Sequence, residues 1–180
     1  GGDLTWNAML LPLLVAVVGV VCSVIGSFLI RTKENADQRS LLATLRKGTY
    51  TAAILAAVVA APLTYWLMGS WGPYIAILAG LIGGCAIGYF TEYYTSDTYK
   101  PTQNLANSTE TGAATTIIGG ISLGMVSTAA PIIIISIAVI VAFLASGGTL
   151  STNSPDYAAL FSKGLYGIGI AGVGMLSTLG

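Results

Sequence analysis

The chain has 180 residues, of which 54% are hydrophobic and only 8% charged; seven basic and seven acidic side chains cancel, and there is no histidine. Soluble domains carry roughly 25% charged residues, so a water-facing surface is missing here. Zero net charge leaves no footprint for nucleic acid, and without histidine an ordinary zinc site and an imidazole proton shuttle are excluded.

Several uncharged runs exceed the ~18 residues that mark a transmembrane helix candidate. They are continuous and rich in Ala, Ile, Leu and Gly, unlike the alternating segments of about ten residues that build a transmembrane barrel. The expected fold is all-α, a polytopic transmembrane helical bundle with five spans in this chain, at about 6–30, 48–68, 73–92, 117–144 and 155–180. Gly1-Gly2-Asp3 has neither the basic region nor the cleavage site of a signal peptide. Both ends read as cuts, so residues 1–180 are expected to be part of one larger transmembrane domain.

Trp6 to Ile30 forms the first span, with Trp6 as an interfacial anchor and Pro12 early, where a missing donor disturbs little. From Arg31 to Lys47 the chain turns polar and holds five of the seven basic residues, Arg31, Lys33, Arg39, Arg46 and Lys47. Leu41, Leu42 and Leu45 there share a face, as in a short amphipathic extension of the next helix. The second span, Gly48 to Met68, ends among Tyr65 and Trp66, and Met68-Gly69-Ser70-Trp71-Gly72-Pro73 is a tight turn into the third. These two spans are expected to be antiparallel neighbours.

In the third span Gly80, Gly84 and Gly88 recur every fourth residue, a flat stripe against which another backbone can pack. Tyr89, Phe90, Tyr93 and Tyr94 then mark the headgroup level, with Glu92 among them. Thr95 to Thr116 reads as a polar loop with at most a helical turn. The fourth span, Ile117 to Leu144, contains Pro131, where a kink is expected. Ser154-Pro155-Asp156 reads as the start of the fifth, with a hydroxyl cap, a proline in the first turn and an acid at the positive dipole end. Cys22 and Cys85 lie mid-run, where packing is their ordinary use.

Orientation follows from the basic residues. The 31–47 and 91–116 segments fall on one side and hold six Lys and Arg, whereas Lys163 is alone on the other, so the first side is expected to be cytoplasmic. Asn107-Ser108-Thr109, a glycosylation sequon, is then idle.

Gly167-Ile168-Gly169-Ile170-Ala171-Gly172 matches the dinucleotide pattern in letters, but no strand precedes it and no acid follows. Small residues at Gly167, Ala171, Gly174 and Thr178 suit close helix contact in lipid instead. Of the ionisable groups, Glu92 is either an interfacial carboxylate in water or a buried group tuned for ion handling. Lys163, about nine residues into the fifth span, either snorkels outward or pairs with an acid elsewhere.

Taken in order, Thr91-Glu92-Tyr93-Tyr94-Thr95-Ser96, Tyr99-Lys100-Pro101-Thr102-Gln103, Thr111-Gly112-Ala113-Ala114-Thr115 and Leu165-Tyr166-Gly167 through Gly174-Met175-Leu176-Ser177-Thr178 resemble the membrane-bound, ion-pumping inorganic pyrophosphatases. The match is specific from about Ile87 to Gly180, whereas Gly1 to Ser70 agrees mainly in hydropathy. The resemblance implies a multi-pass homodimer of about sixteen helices per subunit, in the cell membrane if prokaryotic. Such a protein hydrolyses magnesium pyrophosphate on the cytoplasmic side and moves protons or sodium outward, with potassium a candidate second cation.

By the same resemblance this chain corresponds to about the seventh to eleventh helices, four of an outer ring and one of an inner ring. The family's acid-rich and lysine-bearing substrate motifs then lie before Gly1 and after Gly180. No catalytic, cofactor-binding or metal-ligating residue is expected within the chain, and Glu92 is a candidate only for shaping the cytoplasmic entrance or for coupling. This agrees with elementary chemistry, because a magnesium pyrophosphate site needs convergent carboxylates and cations that the sequence does not cluster. Two other classes fit the hydropathy, a helical segment of a secondary transporter and an inert membrane scaffold.

Overall fold

The computed structural model describes residues 2–30, 37–153 and 155–177. Every regular element among them is helical: α1 (Gly2–Phe28), α2 (Gln38–Met68), α3 (Gly72–Thr95), α4 (Lys100–Ser108), one 3-10 turn (Thr109–Thr111), α5 (Ala113–Ala145) and α6 (Tyr157–Ser177). All but α4 and the 3-10 turn are long and apolar enough to cross a membrane, which makes five among the described residues. At about 1.5 Å per residue α4 reaches less than half of the ~30 Å hydrocarbon layer. The all-α, five-span reading holds.

Two compact units divide the chain, Gly1–Cys85 with Ile137–Gly180, and Ala86–Ser136. In the first, Asn7 Nδ2 near the start of α1 donates to the carbonyl of Leu67 at the end of α2 at 3.0 Å. Gly26 lies against Gly48 and Ala52, early in α2, so the two helices run antiparallel. By contrast α1 and α6 run parallel: the Tyr166 hydroxyl meets the Ala8 carbonyl, and eleven residues further along each helix (8 to 19, 166 to 177) Ser177 meets Gly19. Parallel first and last spans are what five crossings require.

The core of this unit is aliphatic and small. Leu11, Val15 and Cys22 from α1 pack with Ala56, Ala60 and Leu67 from α2, Ile77 and Leu81 from α3, and Ile170 from α6. Alanines let α2 approach closely, and α3 goes further at Gly80, where a Cβ would strike the Ala171 carbonyl oxygen and lie 2.8 Å from its carbon. Gly84 faces Met175, but at Gly88, which is exposed, no other described residue would lie within 4 Å of an added Cβ. The expected stripe is thus a contact face over its first two glycines only.

Turn chemistry sets the helix ends. Gly69 closes α2 at φ 62°, its N–H bonded to the Tyr65 carbonyl, and Pro73 follows in the first turn of α3, as expected. After α5, Gly147 at φ 85° donates to the Leu144 carbonyl at 3.0 Å and Gly148 to that of Phe143 at 2.9 Å, a Schellman ending. Pro131 lies inside α5 without ending it.

Three boundaries differ from expectation. Helix α2 begins at Gln38, ten residues before the expected span at 48, and the stretch to Leu45 is the expected amphipathic extension, continuous with the membrane helix. Arg31, Lys33 and Glu34 lie outside the described residues. At α6, Ser154 lies outside them too, and the helix begins only at Tyr157, the Asp156 carbonyl accepting its first bond from Leu160 at 3.0 Å. Asp156 therefore occupies the cap position and Pro155 precedes the helix.

The third difference is the supposed loop from Thr95 to Thr116, which is mostly helical. In the second unit, α3 continues to Thr95, and after a short turn α4 begins with Pro101 in its first turn. Proline lacks an N–H that would be unpartnered there anyway. The turn is tied by side chains: Gln103 Nε2 donates to the carbonyls of Asp97 and Thr98 at 3.1 and 3.3 Å, and the Thr102 hydroxyl to that of Tyr94 at 3.2 Å. Polar residues here satisfy the backbone locally instead of signalling disorder.

Candidate functional site

Glu92 sits in the last turn of α3, half-buried, its carbonyl accepting from the Ser96 N–H at 2.9 Å. An acid at a helix C-terminus works against the macrodipole, by about 0.3–1 kcal/mol at an exposed end. Helix formation therefore does not explain it. Around it the rings of Tyr89 and Phe90 meet edge-on with centroids 5.8 Å apart, and Tyr93 contacts Tyr94 at 5.2 Å and Tyr99 at 5.1 Å. This is the aromatic collar expected at a membrane boundary.

Beyond it in the same unit, α4 and α5 enclose a cleft of about 330 Å³. Pro101, Asn104, Leu105 and Ser108 form one wall, and Gly119, Ser122, Leu123 and Val126 the other. No charged side chain lines it, so it supplies no countercharge to a pyrophosphate anion or its metal. Each wall is a single helix face at i, i+3, i+4, i+7 spacing, joined where Leu105 Cδ1 closes on Gly119.

Hard cations such as magnesium need several oxygen ligands on one point. Among the described residues, no group of three or more Asp, Glu, His or Cys side chains is placed to hold a metal ion. Glu92, Asp97 and Glu110 belong to the second unit, and Asp37 and Asp156 to the first. The described residues do not by themselves offer a magnesium site.

Lys163 is exposed on α6, six residues past its start. The dinucleotide-like run is wholly helical within α6, with Gly167 against Ala142 of α5 and Ser146 just beyond its end, and Ala171 against Gly80 of α3. It serves packing, as the missing strand implied; Thr178 lies outside the described residues.

Sequence reasoning passed over three polar side chains that bond across helices in the first unit, Asn7, Tyr74 and Tyr166. Two of their acceptors are carbonyls that a helix leaves without an N–H. Leu67 belongs to the last turn of α2, where carbonyls have no intrahelical partner. Ala8 stands four residues before Pro12, which has no N–H to give it. The proline was the readable signal.

The chain is 47% identical over 178 residues to a Bacteroides thetaiotaomicron protein provisionally named K(+)-stimulated pyrophosphate-energized sodium pump, over 97% of this chain and 23% of that protein. It is 33% identical over 174 residues to the K(+)-insensitive pyrophosphate-energized proton pump of Methanosarcina mazei, over 97% of this chain and 24% of that protein. To the K(+)-stimulated pyrophosphate-energized sodium pump of Thermotoga maritima it is 34% identical over 181 residues, over 92% and 22%. The chain thus spans about a quarter of the length of the curated relatives it matches. The family model described as inorganic H+ pyrophosphatase matches residues 4–180. With five membrane-length helices and a match along nearly its whole length, the chain belongs to the inorganic H+ pyrophosphatase family.

Proposed function

We propose that the protein containing this chain is a membrane pyrophosphatase that couples magnesium-dependent hydrolysis of pyrophosphate to outward pumping of protons or sodium. The observation that carries this reading is the family match over residues 4–180, together with relatives named as pyrophosphate-energized pumps. Those names do not favour the secondary-transporter alternative. Residues 1–180 then contribute framework, with magnesium, the phosphates and any potassium held by other parts of a protein about four times as long. The cell membrane as location and a homodimer as assembly belong to the same proposal.

Glu92 is the one acid whose position invites a role at the cytoplasmic entrance, since it is half-buried at the aromatic collar and unfavourable to its own helix. The test uses full-length protein in sealed vesicles, supplied with pyrophosphate with and without magnesium, measuring phosphate release and ion uptake together. Both should appear, and both should need magnesium. Uptake driven by an ion gradient without phosphate release would overturn the proposal in favour of a transporter.

A further inference from the structure

Helix α6 is held by contacts that do not tolerate sliding. In lipid, helices associate through close backbone approach and interhelical hydrogen bonds, because apolar side chains gain little by leaving lipid for one another. Its buried face, Gly164, Gly167, Ala171, Gly174 and Ser177, meets Phe143 and Ala142 of α5, Gly80 and Ile77 of α3, and Gly19 of α1. At Gly80 and Gly174 the opposing atoms are backbone, at 2.8 and 2.9 Å from where a Cβ would stand. Screwing α6 by one residue, about 1.5 Å of rise with about 100° of rotation, would bring Val173 to the place of Gly174, where even a methyl group would meet the Ile77 carbonyl.

To this steric fit the α1 contact adds a directional bond. Pro12 interrupts the ladder of α1 and frees the Ala8 carbonyl, and the Tyr166 hydroxyl donates to that carbonyl at 2.6 Å. An unpartnered carbonyl is costly away from water, so the proline creates an acceptor position in the interior of α1, away from the open carbonyls of its last turn. Only one register of α6 satisfies it.

We propose that Tyr166 is a positioning residue, which with Pro12 and the Ala8 carbonyl forms a register lock, so that α1 and α6 move as one body in the working protein. The lock rests on geometry within one compact unit; its role during turnover rests on the pump reading above.

Two measurements on the full-length protein test it. The first is a stability cycle. Tyr166→Phe orphans the carbonyl and should lower the midpoint of thermal unfolding, whereas Pro12→Ala in the same background restores an intrahelical N–H and should recover at least about half of that loss. A double variant as unstable as Tyr166→Phe alone, or a Tyr166→Phe variant with an unchanged midpoint, overturns the lock.

The second uses nitroxide labels at Val24 of α1 and Leu176 of α6, both exposed, in a protein freed of its other cysteines. Their distance should change by less than about 2 Å when magnesium and a non-hydrolysable diphosphonate are added, close to one residue of helical rise. A change above about 4 Å shows that the helices slide and overturns the one-body claim. Phosphate release by the labelled protein is the control: its absence counts against the pump reading, while the stability cycle still decides the lock.

Discussion

Thr64 illustrates how a single side chain exposes its environment. It is fully buried in α2, and its Oγ1 has no hydrogen-bond partner. A buried unpartnered hydroxyl costs about 1–3 kcal/mol, while a methyl in its place costs little. Thr64→Val should therefore raise the thermal midpoint of the purified full-length protein, and a lowered midpoint would show that the hydroxyl is satisfied in the working state. Glu92 is the contrasting case, since Glu92→Gln removes charge but keeps shape and polarity. We expect a moderate change in turnover or in ions moved per phosphate released, well short of the loss from deleting a metal ligand. At this scale the sequence was only partly readable. Glu92 stood out because it is charged in an apolar setting, whereas Tyr166 and Asn7 did not, because what matters in them is the unpaired carbonyl each one meets.

Among the elements, α3 shows that spacing reveals a face but not how much of it is used. Gly80, Gly84 and Gly88 are equivalent in sequence, yet Gly80 abuts backbone most tightly, Gly84 meets the side chain and, at 3.3 Å, the carbonyl of Met175, and Gly88 meets no other described residue. Gly80→Ala should destabilise by roughly 1–3 kcal/mol through overpacking. Gly88→Ala should be neutral or stabilise by up to about 1 kcal/mol through helix propensity. Thermal unfolding of the two variants side by side is the check, and equal effects would contradict the assigned packing. Span existence was legible throughout because charge-free runs of membrane length admit few alternatives. Helix ends were less so: the Thr95–Thr116 segment is polar by composition, and only its hydrogen bonds show that Gln103 and Thr102 build a turn and a helix there. Ser154-Pro155-Asp156 carried a plausible start signal two residues early, since the pattern does not say which polar residue caps.

For the whole molecule, five membrane-length helices with six of the seven basic residues expected on one side give a topology that labelling can test. Cysteines placed at Gln38 and Asn104 should react from the cytoplasmic side, and one at Ser151 from the opposite side. Reaction of Asn104 and Ser151 from the same side would contradict five spans. The exposed apolar surface agrees with a segment of a larger assembly in lipid, since Ile117, Ile118, Ile121, Met125, Ile132 and Ile133 of α5 are each at least 60% exposed. Water would not tolerate a patch of that size.

The central claim is that this segment frames a pyrophosphate-driven pump without supplying ligands to its metal or phosphates. Its most direct test neutralises the seven acids one at a time in the full-length protein, as Asp3→Asn, Glu34→Gln, Asp37→Asn, Glu92→Gln, Asp97→Asn, Glu110→Gln and Asp156→Asn, and measures magnesium-dependent phosphate release in vesicles. Each variant should retain hydrolysis within about tenfold of the parent. A loss beyond about 100-fold in any properly folded variant, the scale on which metal-site and transition-state contacts are felt, would place that carboxylate in the catalytic centre and contradict the account.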